Sequence, residues 1–195
     1  TEKEAIDLIP DLPFYFDEPF ADSSAIPTTL VSKIAVKDVT VALSADGGDE
    51  IFAGYNRYDY MMRYGKKLNA IPGFARKSMV GIMNKVPSEK IPVLKNRYNF
   101  HNRYEKLKGV LKDPSDQHIM LSLSQQFTDT QMKSVMAESF SPLDTMYFSN
   151  ELKDENRTSL SYMMAIDYQT YMLDDILQKV DRATMSQSLE GREPF

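Results

Sequence analysis

The sequence predicts an α/β parent domain, of which this chain is a mostly helical portion carrying one short strand near residues 39–43. Three observations lead there. Val39-Thr-Val-Ala-Leu43 is a near-continuous apolar and β-branched run, too short for a helix and bounded by Lys37-Asp38 before and turn residues after. Such a run suits a parallel strand covered on both faces. It empties into Ser44-Ala-Asp-Gly-Gly-Asp-Glu50, an acidic, glycine-hinged loop that opens a helix, and α/β proteins bind ligands at the carboxyl ends of their strands. The remainder reads as helical stretches separated by prolines.

In chain order, Thr1-Glu-Lys-Glu4 reads as a capping box for a short helix through Ile9, stopped by Pro10. Asp17-Glu-Pro-Phe20 and Asp22-Ser-Ser-Ala-Ile-Pro27 form a turn-rich approach to a second helix, capped by Ser23 or Ser24. Ile26, Leu30, Val31 and Ile34 give that helix an apolar stripe, and the strand follows, so the segment is half of a βαβ unit. In the loop, Gly47 and Gly48 tolerate positive φ, and Asp49 and Glu50 fall in a first helical turn, where the macrodipole favours acids. Two readings of this loop stand side by side: a solvated turn with Asp46 as N-cap, or a metal site.

A tyrosine-rich helix from Ile51 to about Leu68 leads into stretches broken at Pro72, Pro87, Pro92, Pro114 and Pro142. Its aromatic residues Phe52, Tyr55, Tyr58, Tyr60 and Tyr64 read as core packing and surface cover rather than a base-stacking platform. Later, Tyr162, Ala165, Ile166, Leu173, Ile176, Leu177 and Val180 share a broad apolar helical face. On the same helix Asp175, Lys179 and Arg182 lie at i, i+4 and i+7, with Asp174 and Asp181 on a neighbouring face. A surface ladder of ion pairs would account for them, each worth roughly a few tenths of a kcal/mol.

Composition narrows the chemistry. The chain has 195 residues, 42% hydrophobic and 26% charged, enough for one well-sized core. No run approaches the ~20 apolar residues of a membrane span and the first residues carry no signal-peptide pattern, so a cytoplasmic protein is expected. The absence of cysteine excludes disulfides, a thiolate nucleophile and cysteine-ligated metals within this segment. With His101 and His118 in unrelated contexts, read as ordinary surface or half-buried residues, a metal site would have to be carboxylate-based, which suits Mg2+. A net charge of −5 speaks against nucleic acid as the main partner, and the basic stretch from Lys95 to Lys112 reads as a solvated helix face.

Three ordered blocks, Asp17 to Thr28, Val41 to Tyr58 and Leu173 to Phe195, resemble the synthetase domain of glutamine-hydrolysing asparagine synthetases. That family reads approximately D-E-P-F-x-D-S-S-A-I-P-T, then V-L-S-G-D-G-G-D-E-x-F-x-G-Y-x-R-Y, then L-x-D-D-x-L-x-K-x-D-R-x-S-M-x-x-S-L-E-x-R-x-P-F. The resemblance implies an adenine nucleotide α-hydrolase-like parent, a parallel sheet with helices, and favours the functional reading of the loop. Residues 1–195 are then expected to be a fragment of the C-terminal synthetase domain, without the upstream S-G-G-x-D-S pyrophosphate loop and the glutaminase domain. The missing initiating Met and the stop at Pro194-Phe195 agree with that expectation. Ala45 and Ala53 stand where the family has glycine and Thr184 where it has serine, read as small-for-small changes.

The resemblance further implies that the parent enzyme uses ATP and Mg2+ to convert aspartate to β-aspartyl-AMP, which glutamine-derived ammonia then turns into asparagine. By similarity, Ser44, Ala45 and Gly47 would contact the nucleotide and Asp49 would hold Mg2+. Asp46 would be the catalytic acid/base and Lys179 would meet pyrophosphate as a point charge. Asp181 and Arg182 would fix Lys179 and the loop, and Asp22, Ser23 and Ser24 would lie near the acceptor or simply cap a helix. The competing readings are another ATP-dependent amidotransferase or amide-forming ligase of the superfamily, acting on a different carboxylate, and a noncatalytic helical interaction module. The isolated segment is expected to be inactive, and its strand, with no partner legible in the chain, offers a route to homo-oligomers.

Overall fold

A computed structural model describes residues 1–92, 96–97, 99–136, 145–152 and 157–194. The chain divides into two compact units, one made of Thr1–Gly54 with Met164–Phe195, the other of Tyr55–Met163.

The first unit begins as its sequence dictates. The Thr1 side chain accepts from the Glu4 backbone N–H while Glu4 reaches back to the N-terminus, and this capping box starts helix α1 (Glu2–Leu8). The α-helix ends before Pro10, which lies in a 3-10 turn, Ile9–Asp11, that runs into a short helix α2 (Leu12–Phe16). Phe16 is buried and stacks on Phe20 at 4.3 Å. Helix α3 (Ala25–Ala35) follows. Its N-cap Ser24 makes no side-chain cap; instead Asp22 accepts from the Ser24 N–H at 2.8 Å and the Ser24 hydroxyl at 2.7 Å.

The fully buried face of α3 is not its apolar stripe, of which Ile26 and Leu30 are half-buried. Ala25, Thr29 and Ser32 are buried, whereas Val31 and Ile34 are each 64% exposed. Helix α3 packs on α11 (Gln178–Met185), whose buried face includes Ala183 and Thr184. Small side chains let two helices approach closely. Their hydroxyls are satisfied locally: Thr29 donates to the Ala25 carbonyl, Ser32 to that of Thr28 and Thr184 to that of Val180, each at 2.8 Å.

Strand β1 (Val41–Leu43) has a partner in the chain after all. It pairs in parallel with β2 (Glu190–Arg192), Ala42 opposite Gly191, and the ladder continues from Glu190 N–H to the Thr40 carbonyl and from Ser44 N–H to that of Arg192. A Cβ on Gly191 would come within 3.2–3.4 Å of Thr184 and Val180, so glycine lets β2 lie on α11. The expected cover on both faces is present on one: Ala42 is half-buried, and Leu43 is 73% exposed.

The helix expected from Ile51 to Leu68 is two helices. Helix α4 (Gly48–Phe52) ends at Ala53, whose φ of 59° lies in the left-handed region, and α5 (Asn56–Ala70) begins after extended Tyr55. The replacement of glycine by Ala53 is therefore not neutral. An L-residue here costs about 1–2 kcal/mol, partly offset by the lower backbone entropy of alanine in the unfolded chain. Ala53→Gly is expected to stabilise the chain by roughly 0.5–1 kcal/mol, read as a higher urea midpoint at unchanged slope; a lower midpoint would refute the strain.

The second unit is helical. Besides α5 it holds α6 (Gly73–Lys85), α7 (Phe100–Lys112), α8 (Asp116–Ser124) and α9 (Asp129–Val135), with α6 packed on α7, α7 on α8 and α5 on α8. Pro72 and Pro87 sit at the starts of α6 and of a 3-10 turn (Ser88–Lys90), as breakers should. Pro142, Lys95 and Phe195 lie outside the described residues. Tyr58, Met61, Leu111, Ile119 and Met120 are buried, while Phe52, Tyr60 and Tyr64 are exposed, so of the aromatic run only Tyr58 is a core residue. His101 is exposed and His118 half-buried, their Nδ1 atoms 3.0 Å from Glu89 and 2.9 Å from Asp113 respectively. Helix α10 (Ser159–Gln169) leads to a π-helical turn, Met172–Leu177, and then α11. The wider turn shifts register, leaving Leu173 exposed instead of on the buried face with Ile176 and Val180. Among the described residues no helix is long and apolar enough to cross a membrane.

Candidate active site

The first unit gathers its chemistry where β1 ends. Lys179, on the buried side of α11, is only 7% exposed, a position lysine occupies almost only when paired. Its Nζ lies 3.4 Å from Asp22 Oδ2 and 3.6 Å from Asp46 Oδ1. The expected surface ladder with Asp175 and Arg182 therefore does not form: the cation turns inward to two carboxylates from distant segments. Both separations exceed those of tight charged hydrogen bonds, about 2.7–2.9 Å, so the ammonium is neutralised without being closely clasped.

The loop is braced from within. Ser44 Oγ donates to Asp46 Oδ2 at 2.6 Å and accepts from the Asp46 N–H at 3.2 Å. Asp46 is not the helix N-cap; that position is Gly47, buried and at φ 87°, a backbone conformation that requires glycine. With Oδ2 held by Ser44, Oδ1 faces Lys179. Ala45 is exposed, its carbonyl accepting from Gly48 N–H at 3.1 Å. Asp49 is exposed in the first turn of α4, its carboxylate lying over Gly54.

Two acids join this cluster that the sequence did not single out as site residues. Glu193, just beyond β2, approaches the Ser44 hydroxyl at 3.5 Å, and burial followed by the nearby charge of Asp46 pushes its carboxyl above the usual range. Its position 149 residues from Ser44 leaves no local signal. Asp175 on the π-helical turn is raised by burial, then by the charges of Asp22 and buried Glu50, against the opposing pull of Lys179. Its Oδ1 is buried without a hydrogen-bond partner among the described residues. The i, i+4 spacing to Lys179 was the available clue. For Asp22, burial acts to raise the carboxyl, but the two bonds from Ser24 together with Lys179 outweigh it and hold it below 3.8.

Ser24 thus acts on Asp22, while Ser23 is exposed, its carbonyl accepting from the Ile26 N–H. Arg182 reaches Asp17 at 3.8 Å in a pair exposed on both sides, and Asp181 is exposed. Neither is brought onto Lys179. Among the described residues no three His, Cys, Asp or Glu side chains are grouped to hold a metal ion by themselves. A single free carboxylate such as Asp49 fits Mg2+ only where phosphate oxygens complete the shell, which is the ordinary arrangement for that ion.

The arrangement is a buried cation between two acids, at a strand terminus, beside a solvent-facing carboxylate, which is the equipment for handling phosphate charge and moving a proton. The chain is 29% identical over its whole length to asparagine synthetase [glutamine-hydrolyzing] 1 of Bacillus subtilis, covering 29% of that protein. It is 28% identical over 98% of its length to a putative asparagine synthetase [glutamine-hydrolyzing] of Mycobacterium tuberculosis, covering 28% of it. A 105-residue stretch, 53% of the chain, is 40% identical to putative asparagine synthetase [glutamine-hydrolyzing] 2 of Methanocaldococcus jannaschii, covering 18% of it. The chain thus spans under a third of the length of these curated relatives. No solved structure matches it. The asparagine synthase family matches across residues 1–195, and the chain belongs to that family.

Proposed function

We propose that this chain is part of the C-terminal synthetase domain of a longer enzyme that makes asparagine from aspartate, ATP and glutamine-derived ammonia in the cytoplasm. The observation that supports this best is the buried Lys179 held between Asp22 and Asp46 at the end of β1. Activation forms a bond between the aspartate side-chain carboxylate and the α-phosphorus of ATP and breaks the bond to pyrophosphate. Lys179 neutralises charge accumulating on that leaving group. Its loose approach to the two aspartates leaves ammonium donors for phosphate oxygens. Asp49 would hold Mg2+, which supplies further neutralisation of the phosphates when bound.

In the second step ammonia forms the carbon–nitrogen bond, AMP departs with the oxygen, and a proton must leave the nitrogen. Asp46 accepts it. Its carboxylate is 34% exposed and oriented by Ser44, which fits a base that an incoming amine must reach. Ser44, Ala45 and Gly47 line the strand end where the nucleotide would lie, and Asp22 and Ser24 form the wall opposite Asp46 across Lys179. In this reading Asp181 and Arg182 shape the exposed rim.

The test is pyrophosphate release and asparagine formation by the full-length protein given MgATP, aspartate and ammonia. Both products are expected, with Asp46→Asn retaining more pyrophosphate release than asparagine formation because it removes the second-step base. Pyrophosphate release with a different carboxylic acid and none with aspartate would keep the chemistry and remove the substrate; no adenylation of any acid would leave a binding module.

A further inference from the structure

The second unit contains a cavity of about 660 Å³ between α5, α7 and α8 that the chemistry above does not use. That volume is in the range of small-molecule sites, about 300–1,000 Å³. Its floor is apolar: Met61, Val110 and Ile119 are buried there, with Leu68 and Leu123 beside them. Its border is cationic. Arg57, Lys67, Arg103 and Lys106 all line it, and among the described lining residues there is no acid, in a chain with 28 acidic side chains against 23 lysines and arginines.

The acids of α5 and α7 are engaged away from the cavity, and Asp116 of α8 does not line it. Asp59 pairs with Arg63 at 2.7 Å and Glu105 with Lys108 at 2.6 Å, and neither acid lines the space. Arg57 stacks over Tyr55 at 4.4 Å. Lys106 is half-buried, and among the described residues its one hydrogen bond is to the Leu123 carbonyl at 3.2 Å, although an ammonium carries three donors. Burial holds that ammonium below its ordinary 10.5, a sign that it is drawn partly out of water with no carboxylate beside it. The stretch that reads in sequence as a solvated basic face therefore turns two of its cations, Arg103 and Lys106, toward an apolar hollow.

We propose that this cavity binds a small amphiphilic anion, in its simplest form an alkyl carboxylate, with the apolar body against Met61, Val110 and Ile119 and the head against Lys106 and Arg103. The lining selects the class. An apolar floor disfavours a sugar or bare phosphate, and a border of cations disfavours an amine.

The test is calorimetric titration of the full chain with dodecanoate below its micelle concentration, beside dodecyltrimethylammonium. One dodecanoate per chain is expected, with the cation at least tenfold weaker. Lys106→Met, which keeps the apolar stem, combined with Arg103→Gln should weaken dodecanoate tenfold or more; Arg103→Gln alone, at an exposed position, should weaken it severalfold with unchanged circular dichroism. Binding of the ammonium amphiphile as tightly as the carboxylate would overturn the proposal, as would stoichiometry well above one, no saturable binding, or affinity indifferent to both variants. Displacement of dodecanoate by an acidic amphipathic peptide at far lower concentration would reassign the cavity to a protein partner.

Discussion

Replacing Lys179 by methionine in the full-length protein is expected, on the proposed function, to lower asparagine formation by about 10²–10³-fold, through kcat more than KM, because it deletes a charge whose partner would appear as pyrophosphate departs. Methionine keeps the buried apolar stem and removes only the ammonium. In this chain the same change leaves Asp22 and Asp46 facing each other without their shared cation, a destabilisation of about 1–3 kcal/mol. Adding Asp22→Asn should recover part of that loss, a coupling that a double-mutant cycle in urea would measure. The pH dependence has a defined sign. The depressed Asp22 carboxyl contributes stability that is fully present above its ordinary 3.8 and lost as pH falls below it. Without Lys179 that acid limb should become shallower. Turnover within a factor of a few of wild type would remove Lys179 from the chemistry, whatever happened to stability.

Gly54→Ala is expected to be damaging for a reason invisible in a composition table. A Cβ there would lie 1.9 Å from Asp49 Oδ1, 2.8 Å from its Cγ and 3.2 Å from its Cα, so rotating the carboxylate away does not remove the whole conflict. The expected cost is about 1–3 kcal/mol of stability. In the full-length enzyme the displaced Asp49 should raise the Mg2+ concentration needed for half-maximal pyrophosphate release severalfold. Gly81→Ala is the control. It sits within α6 with nothing inside 4 Å of the added carbon and should stabilise by about 0.5–1 kcal/mol. An unchanged Mg2+ requirement in a folded Gly54→Ala protein would show that Asp49 is not the ligand.

Local signals were legible, and long-range ones were not. The capping box of Thr1 and Glu4, the strand before Ser44 and the breaks at Pro72 and Pro87 are encoded within a few residues, and they appear where the spacing places them. β2 escaped notice because Glu190-Gly191-Arg192 has neither alternation nor an apolar run; its pairing depends on Gly191 clearing Thr184. The buried face of α3 escaped because hydropathy ranks Val31 and Ile34 above Thr29 and Ser32, whereas close helix packing rewards small side chains whose hydroxyls can bond backward to the backbone. The site was half readable. Asp46 and Lys179 stand in recognisable blocks, but the cation's inward turn follows from the tertiary fold, and Glu193 reaches Ser44 only through β2.

The parallel pairing of β1 with β2 also sets an order of assembly. Ser44 and Glu193 are 149 residues apart along the chain, so joining them closes a loop whose entropy costs about 4–5 kcal/mol if the intervening chain is unstructured. The inserted unit Tyr55–Met163 has its own buried residues and can shorten that span by folding first. During synthesis, Asp22 and Asp46 emerge well before their cation does, and the nascent chain carries them without Lys179 until the stretch that forms α11 is made. The proposed active cluster is therefore completed only after the helical insert has been made, and faults in that insert should surface as slow maturation of activity rather than as altered chemistry.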